Sequence, residues 1–145
     1  MTAPTLTVEP PERHDTLSRE IETALLQSLA ALNTQATNTG IVITARDATG
    51  RRLGAVTGAT SYGWLLVKLL WVEEAARGTG LGRRLMQSVE DEARGHGCHG
   101  AWLDTSNPRA RTFYRGLGYA DFGTLANAPD QTPADHVRWF MRKAL

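Results

Sequence analysis

The sequence has a single cysteine, Cys98, among its 145 residues. One thiol cannot pair within the chain, so no internal disulfide framework is expected and a reducing, cytoplasmic setting fits best. No apolar run approaches the roughly 18 residues that a membrane span needs, and Met1 to Pro10 carries neither a basic stretch nor an apolar one of the secretory type. Charge of one sign is also lacking. Sixteen Lys and Arg face fifteen Asp and Glu, a net +1, which is far from the basic excess of a general nucleic-acid binder. Repeats and low-complexity tracts are absent, and the Pro-containing stretches lie at the ends of the pattern without dividing it.

What remains is 41% hydrophobic and 21% charged, the balance of one globular domain over residues 1–145 that buries roughly 70% of its unfolded surface. Leu6 to Glu9 is a short strand candidate. Ile21, Leu25, Leu26, Leu29 and Leu32 recur at helical spacing, with Asp15 or Thr16 as cap. Ile41–Asp47 and Leu53–Thr60 are β-prone runs joined by Asp47-Ala48-Thr49-Gly50, a hairpin signal. Trp64 to Val72, apolar except for Lys68, reads as a central strand covered on both faces. A helix follows from Leu81 to Ala93, ending near Gly95 to Gly97. After it come a strand at Ala101–Thr105, a short helix opened by Asn107-Pro108 and closed by Gly118, and strands at Tyr119–Leu125 and Val137–Met141. The predicted class is α/β (α+β): a mixed, mostly antiparallel central sheet with helices on both faces.

Between the central strand and its helix lies Arg77-Gly78-Thr79-Gly80-Leu81-Gly82. A helix N-terminus presents unpartnered N–H groups and about half a positive charge. Glycines let an anion approach those amides, and Arg77, Arg83 and Arg84 add cationic donors, so the loop suits a pyrophosphate. It is not a Walker A loop, because Gly82 is followed by Arg83 and Arg84 in place of Lys and Ser or Thr. Nor does it fit the dinucleotide spacing, since the third glycine falls on Arg83 or Leu85; only Asp104, about 20 residues on, favours that option, and the upstream hairpin opposes it.

Arg77, Gly80 and Gly82, together with Asn107, Ala110, Phe113, Tyr114, Gly118 and Tyr119 further on, resemble the pyrophosphate loop and the downstream signature of the GNAT superfamily of N-acetyltransferases. The two segments span about a third of the chain. The resemblance implies acetyl-CoA as acyl donor, no metal, and a primary amine of a small molecule or protein as acceptor. It also implies a bulged central strand splayed from its neighbour, so that the pantetheine arm binds the backbone of Leu70, Trp71 and Val72, with the phosphates on Arg77, Gly78, Thr79, Gly80, Leu81, Gly82 and Arg83. The Val72 N–H would stabilise the oxyanion, Asn107 would hold the pantetheine amide, and Tyr114 would protonate the departing thiolate. By spacing alone Tyr114 is a core residue on an apolar helical face, and Asn107 is a helix cap.

The base that receives the amine proton is open: Glu73, Asp104, His136 or water, since the charged residue inside the strand is Lys68. By family analogy the acceptor sits between the loops Thr34–Gly40 and Gly123–Asp135. Other motifs read as structural. His96-Gly97-Cys98-His99 lacks a second cluster to complete a zinc site; Ala59 to Gly63 is a hairpin turn; Glu90-Asp91-Glu92 is a solvated helix face; Trp64, Trp71, Trp102 and Trp139 are sheet packing. Against the enzyme stands a non-catalytic CoA- or nucleotide-binding module, which makes no use of Tyr114. Acetylation of RNA-linked amines gains no support from the charge. Homodimerisation is compatible with the resemblance.

Overall fold

A computed structural model describes residues 2–30 and 39–145. The chain divides into two compact units, Met1–Thr37 and Asn38–Leu145. In the first, a 3-10 turn at Pro11–Arg13 runs into α1, His14–Ala30. Pro11 occupies the first helical position, where its missing N–H costs nothing. The helix therefore starts earlier than the Asp15 or Thr16 cap expected from sequence, and both residues lie inside it. Leu6–Glu9 is not a strand. Pro10 and Pro11 end any ladder after four residues, and Glu9 instead takes Arg13 through its carboxylate (2.8 Å) and the His14 ring through its carbonyl (2.9 Å). Leu32 and the loop segment Thr34 to Asn38 lie outside the described residues.

The second unit is built on a six-stranded sheet of order β1-β2-β3-β4-β6-β5. β1 (Thr39–Arg46) and β2 (Arg52–Ser61) form the expected hairpin, and Asp47 Oδ1 closes its turn by accepting the N–H groups of Thr49 and Arg51. β2 turns into β3 (Trp64–Val72) through Tyr62 and Gly63, both at positive φ, the two-residue turn that suits a twisted hairpin. Next come α2 (Leu81–Gly95), β4 (Gly100–Thr105), α3 (Pro108–Gly116), β5 (Ala120–Ala126) and β6 (Val137–Ala144). Every neighbouring pair is antiparallel except β3 with β4.

Leu85, Met86, Val89 and Ala93 of α2 pack with Val56, Leu65, Val67, Leu103 and Met141 into one core that also takes Tyr114 and Tyr119. Burying one such aliphatic side chain is worth about 1.5–3 kcal/mol. Two expectations are corrected here. β3 is not covered on both faces: Leu65 and Val67 are buried and Leu70 and Val72 pack against the core, whereas Leu69 is 68% and Trp71 47% exposed. Glu90 is not on a solvated face; it is 2% exposed and paired with Lys143 of β6. No described helix is long and apolar enough to cross a membrane.

Candidate active site

Two irregularities of β3 open the site. Thr57 faces Leu69 and Gly58 faces Val67, so Lys68 is an extra residue that bulges the strand. On the other side the parallel pairing with β4 is limited to Trp64–Gly100, Leu65–Ala101 and Leu66–Trp102. Past those three pairs the strands diverge. Glu73 donates its N–H to the Leu53 carbonyl at 2.8 Å, which makes Gly54–Val72 a non-hydrogen-bonded pair in the β2–β3 register. Antiparallel alternation then turns the backbone N–H and C=O of Val72 and Leu70 away from β2 and into the gap left by β4.

At the end of β3 the chain makes a 3-10 turn, Glu74–Ala76, and enters the glycine loop. Gly78 and Gly80 sit at φ +74° and +84°, left-handed angles at which side chains are strained. Gly80 is the N-cap of α2 and contributes no side-chain hydrogen bond, so the first amides of the helix stay open to an anion. Arg77 lies back along the strand end and donates Nε to the Val72 carbonyl at 3.0 Å. A Cβ on Gly82 would stand 3.3 Å from the Phe113 ring. Its lack of a side chain therefore lets α2 and α3 close together, a packing role beside any ligand role.

One cavity of about 580 Å³ joins these elements. Its walls include Leu70, Trp71, Val72, Arg77, Gly78, Gly80, Leu81, Gly82, Arg83, Asn107 and Tyr114. Thr79 is the exception among the predicted cofactor residues: its hydroxyl turns into the loop and donates to the Ala76 carbonyl at 2.6 Å. Ala76, Arg109, Ala110 and Phe113 line the cavity unforeseen. Arg109 was detectable in principle, since the first turn of α3 points the way Asn107 does.

Asn107 caps α3, its Oδ1 accepting the Arg109 N–H at 2.9 Å. That leaves its Nδ2 hydrogens for another acceptor. Tyr114 is a largely buried member of the core, edge-on to Phe113 (5.3 Å between centroids) and Tyr119 (5.9 Å), yet it reaches the cavity wall. Burial pushes its phenol pKa up, so it holds its proton.

None of the three candidate bases lines the cavity. Glu73 is paired with Arg51, Asp104 faces Arg138 at 3.5 Å, and the His136 ring meets Ser106 Oγ at 2.9 Å. The Gly123–Asp135 loop is shorter than expected, because Gly123 to Ala126 continue β5. Cys98 is buried, and its thiol pKa is raised by desolvation.

A model of the acetyltransferase (GNAT) family matches residues 6–119. The chain belongs to this family. Acetyltransferase Atu2258 of Agrobacterium fabrum is 37% identical over 115 residues, covering 77% of this chain and 84% of that protein. An acetyltransferase from Bacillus cereus has a crystal structure that superposes with a TM-score of 0.74 at 25% identity, over 97% of this chain and 98% of that one. At 22% identity and a TM-score of 0.63, over 72% of both chains, the fold is also that of an aminoglycoside 6'-N-acetyltransferase crystallised with coenzyme A. The strand gap, the open end of α2 and the Tyr114 phenol all border one cavity.

Proposed function

We propose that the protein transfers an acetyl group from acetyl-CoA to a primary amine by direct attack in a ternary complex. The observation that carries this is the gap between β3 and β4, where the backbone of Leu70 and Val72 faces a cavity bounded by the α2 N-terminus at one end and Tyr114 on a wall. An extended amide-bearing arm would add itself there as a short strand, with hydrogen bonds to Leu70 and Val72 and from Asn107 Nδ2. Its diphosphate would rest on the amides that follow Gly80, with Arg77, Arg83 and Arg109 supplying charge.

In this reading the amine nitrogen attacks the thioester carbonyl carbon while the Val72 N–H stabilises the oxyanion. The C–S bond then breaks, and Tyr114 gives its proton to the sulfur. The amine proton leaves through water, since none of Glu73, Asp104 and His136 lines the cavity. Positioning supplies most of the acceleration. The family match runs from residue 6 to residue 119, which supports a single working domain that includes residues of both units, and the lone Cys98 fits a cytoplasmic setting.

The test follows thiol release from acetyl-CoA against a panel of small-molecule amines and amino-terminal peptides, beside Tyr114→Phe. Turnover that the variant loses supports the enzyme. Coenzyme A binding by calorimetry with no turnover on any amine would leave a non-catalytic binding module.

A further inference from the structure

Behind Tyr114 lies an ion pair with a buried carboxylate that the chemistry above does not use. Glu90 of α2 is 2% exposed, and both its carboxylate oxygens accept from Lys143 Nζ on β6, the longer contact at 3.1 Å. Holding the Glu90 carboxylate out of water is costly even with a partner, and an apolar pair of similar volume often serves stability as well or better. Stability is thus a weak reason for having it.

Its contacts suggest another. Lys143 Nζ stands 5.6 Å from the centroid of the Tyr119 ring, within cation–π range. The Cε and Cδ of the same side chain lie 3.5 and 3.7 Å from where a Cβ on Gly118 would be. Tyr119 is 2% exposed, and its hydroxyl has no hydrogen-bond partner among the described residues. What holds Tyr119 is the packing of its ring, the cation beside it, and the bond from its backbone N–H to the Tyr114 carbonyl at 3.0 Å. The edge of that ring is set against Tyr114, with centroids 5.9 Å apart at 66°.

We propose that the Glu90–Lys143 pair is a positioning device for Tyr114: Glu90 fixes Lys143, Lys143 fixes the Tyr119 ring, and Tyr119 holds Tyr114 in place at the cavity wall. This rests on the reading of Tyr114 as proton donor. The arrangement also joins the two ends of the chemistry through one rigid element. α2 offers the phosphate-facing amides at its first turn and anchors the proton donor from Glu90, about two and a half turns later.

Lys143→Met keeps the unbranched stem and removes the charge, but it strands a buried carboxylate and risks unfolding. The double variant Glu90→Leu/Lys143→Met removes both charges and restores an apolar fit. In the double variant coenzyme A affinity and the KM for acetyl-CoA stay within about twofold of wild type, while kcat with the best amine of the panel falls about tenfold. The 13Cζ resonance of Tyr114, assigned by its disappearance in Tyr114→Phe, shifts or broadens. Lys143→Arg, which keeps the cation and the pair, recovers kcat to within about threefold of wild type.

If the Tyr114 resonance of the double variant stays in place, or if its kcat is unchanged although Tyr114→Phe loses turnover, the pair does not position Tyr114 and the proposal is overturned. The resonance decides the matter without any acceptor. Should Tyr114→Phe keep full turnover, the donor reading fails on its own, whereas a displaced Tyr114 resonance in the double variant still supports the chain of contacts.

Discussion

A phenol can donate to a departing thiolate only while it still carries its proton. Burial raises the pKa of Tyr114 above the ordinary value of 10, so kcat should show no descending limb from this group below about pH 10. Steady-state rates across pH 7 to 10, with the amine saturating, check this. Tyr114→Phe should lower kcat by about 10²-fold with little change in the KM for acetyl-CoA, the pattern of an interaction made only in the transition state. A rise in KM at constant kcat would make Tyr114 a packing residue instead. Tyr114 and Asn107 were legible because their motif fixes them in order and spacing. Glu90 was not, because Asp91 and Glu92 beside it make the run look solvated. Its phase carried the signal: Glu90 lies four residues after the buried Met86 and three before the buried Ala93, on the inward stripe of α2. What the phase cannot supply is the partner, since Lys143 comes from a strand 53 positions away.

At the level of elements, the glycine loop has two separable duties. Gly80 sits at φ +84° with open space around it, so Gly80→Val strains the backbone by about 1–2 kcal/mol without a clash. Gly82 has ordinary angles but faces Phe113 at 3.3 Å, so Gly82→Val pushes α3, and with it Tyr114, off α2. Denaturant melts, coenzyme A calorimetry and turnover on both variants separate the duties: the first loses stability and coenzyme A affinity, and the second also loses kcat at saturating acetyl-CoA because Tyr114 shifts. α3 is also tied to β5 by Asp121, which pairs with Arg111 and with Arg115. The Arg111 guanidinium holds the Asp121 carboxyl below its usual 3.8. A depressed folded-state pKa gives stability that is present above the unfolded value and lost as pH falls through the folded one. Asp121→Asn should therefore lower Tm at pH 7, with the difference from wild type closing as pH drops below about 4. A constant difference down to pH 2 would assign the effect to lost packing. The hairpins and helices were readable because turn residues and periodicity are local. The divergence of β3 from β4 came only from the family resemblance, since within Trp64–Val72, apolar but for Lys68, nothing marks Leu66 as the last paired residue. Leu6–Glu9 failed for the same reason: a strand needs a partner, and four residues ending at Pro10 do not recruit one.

For the whole molecule, charge is close to balanced at +1, so the protein has little long-range field with which to attract a polyanion. The three arginines at the cavity, Arg77, Arg83 and Arg109, concentrate positive charge where the phosphates would lie. Steering that depends on such a local cluster acts over roughly a Debye length, about 10 Å at 0.1 M salt and about 3 Å at 1 M. Raising KCl from about 50 to 500 mM should weaken coenzyme A binding several-fold, while pantetheine, which lacks the phosphates, keeps its affinity for the β3 backbone. Titration calorimetry of both ligands at the two salt concentrations makes the comparison directly. Equal salt dependence for the two would mean that the anion does not sit on the α2 N-terminus, and the polarity of the cavity, phosphates at Gly80 and sulfur at Tyr114, would have to be reversed.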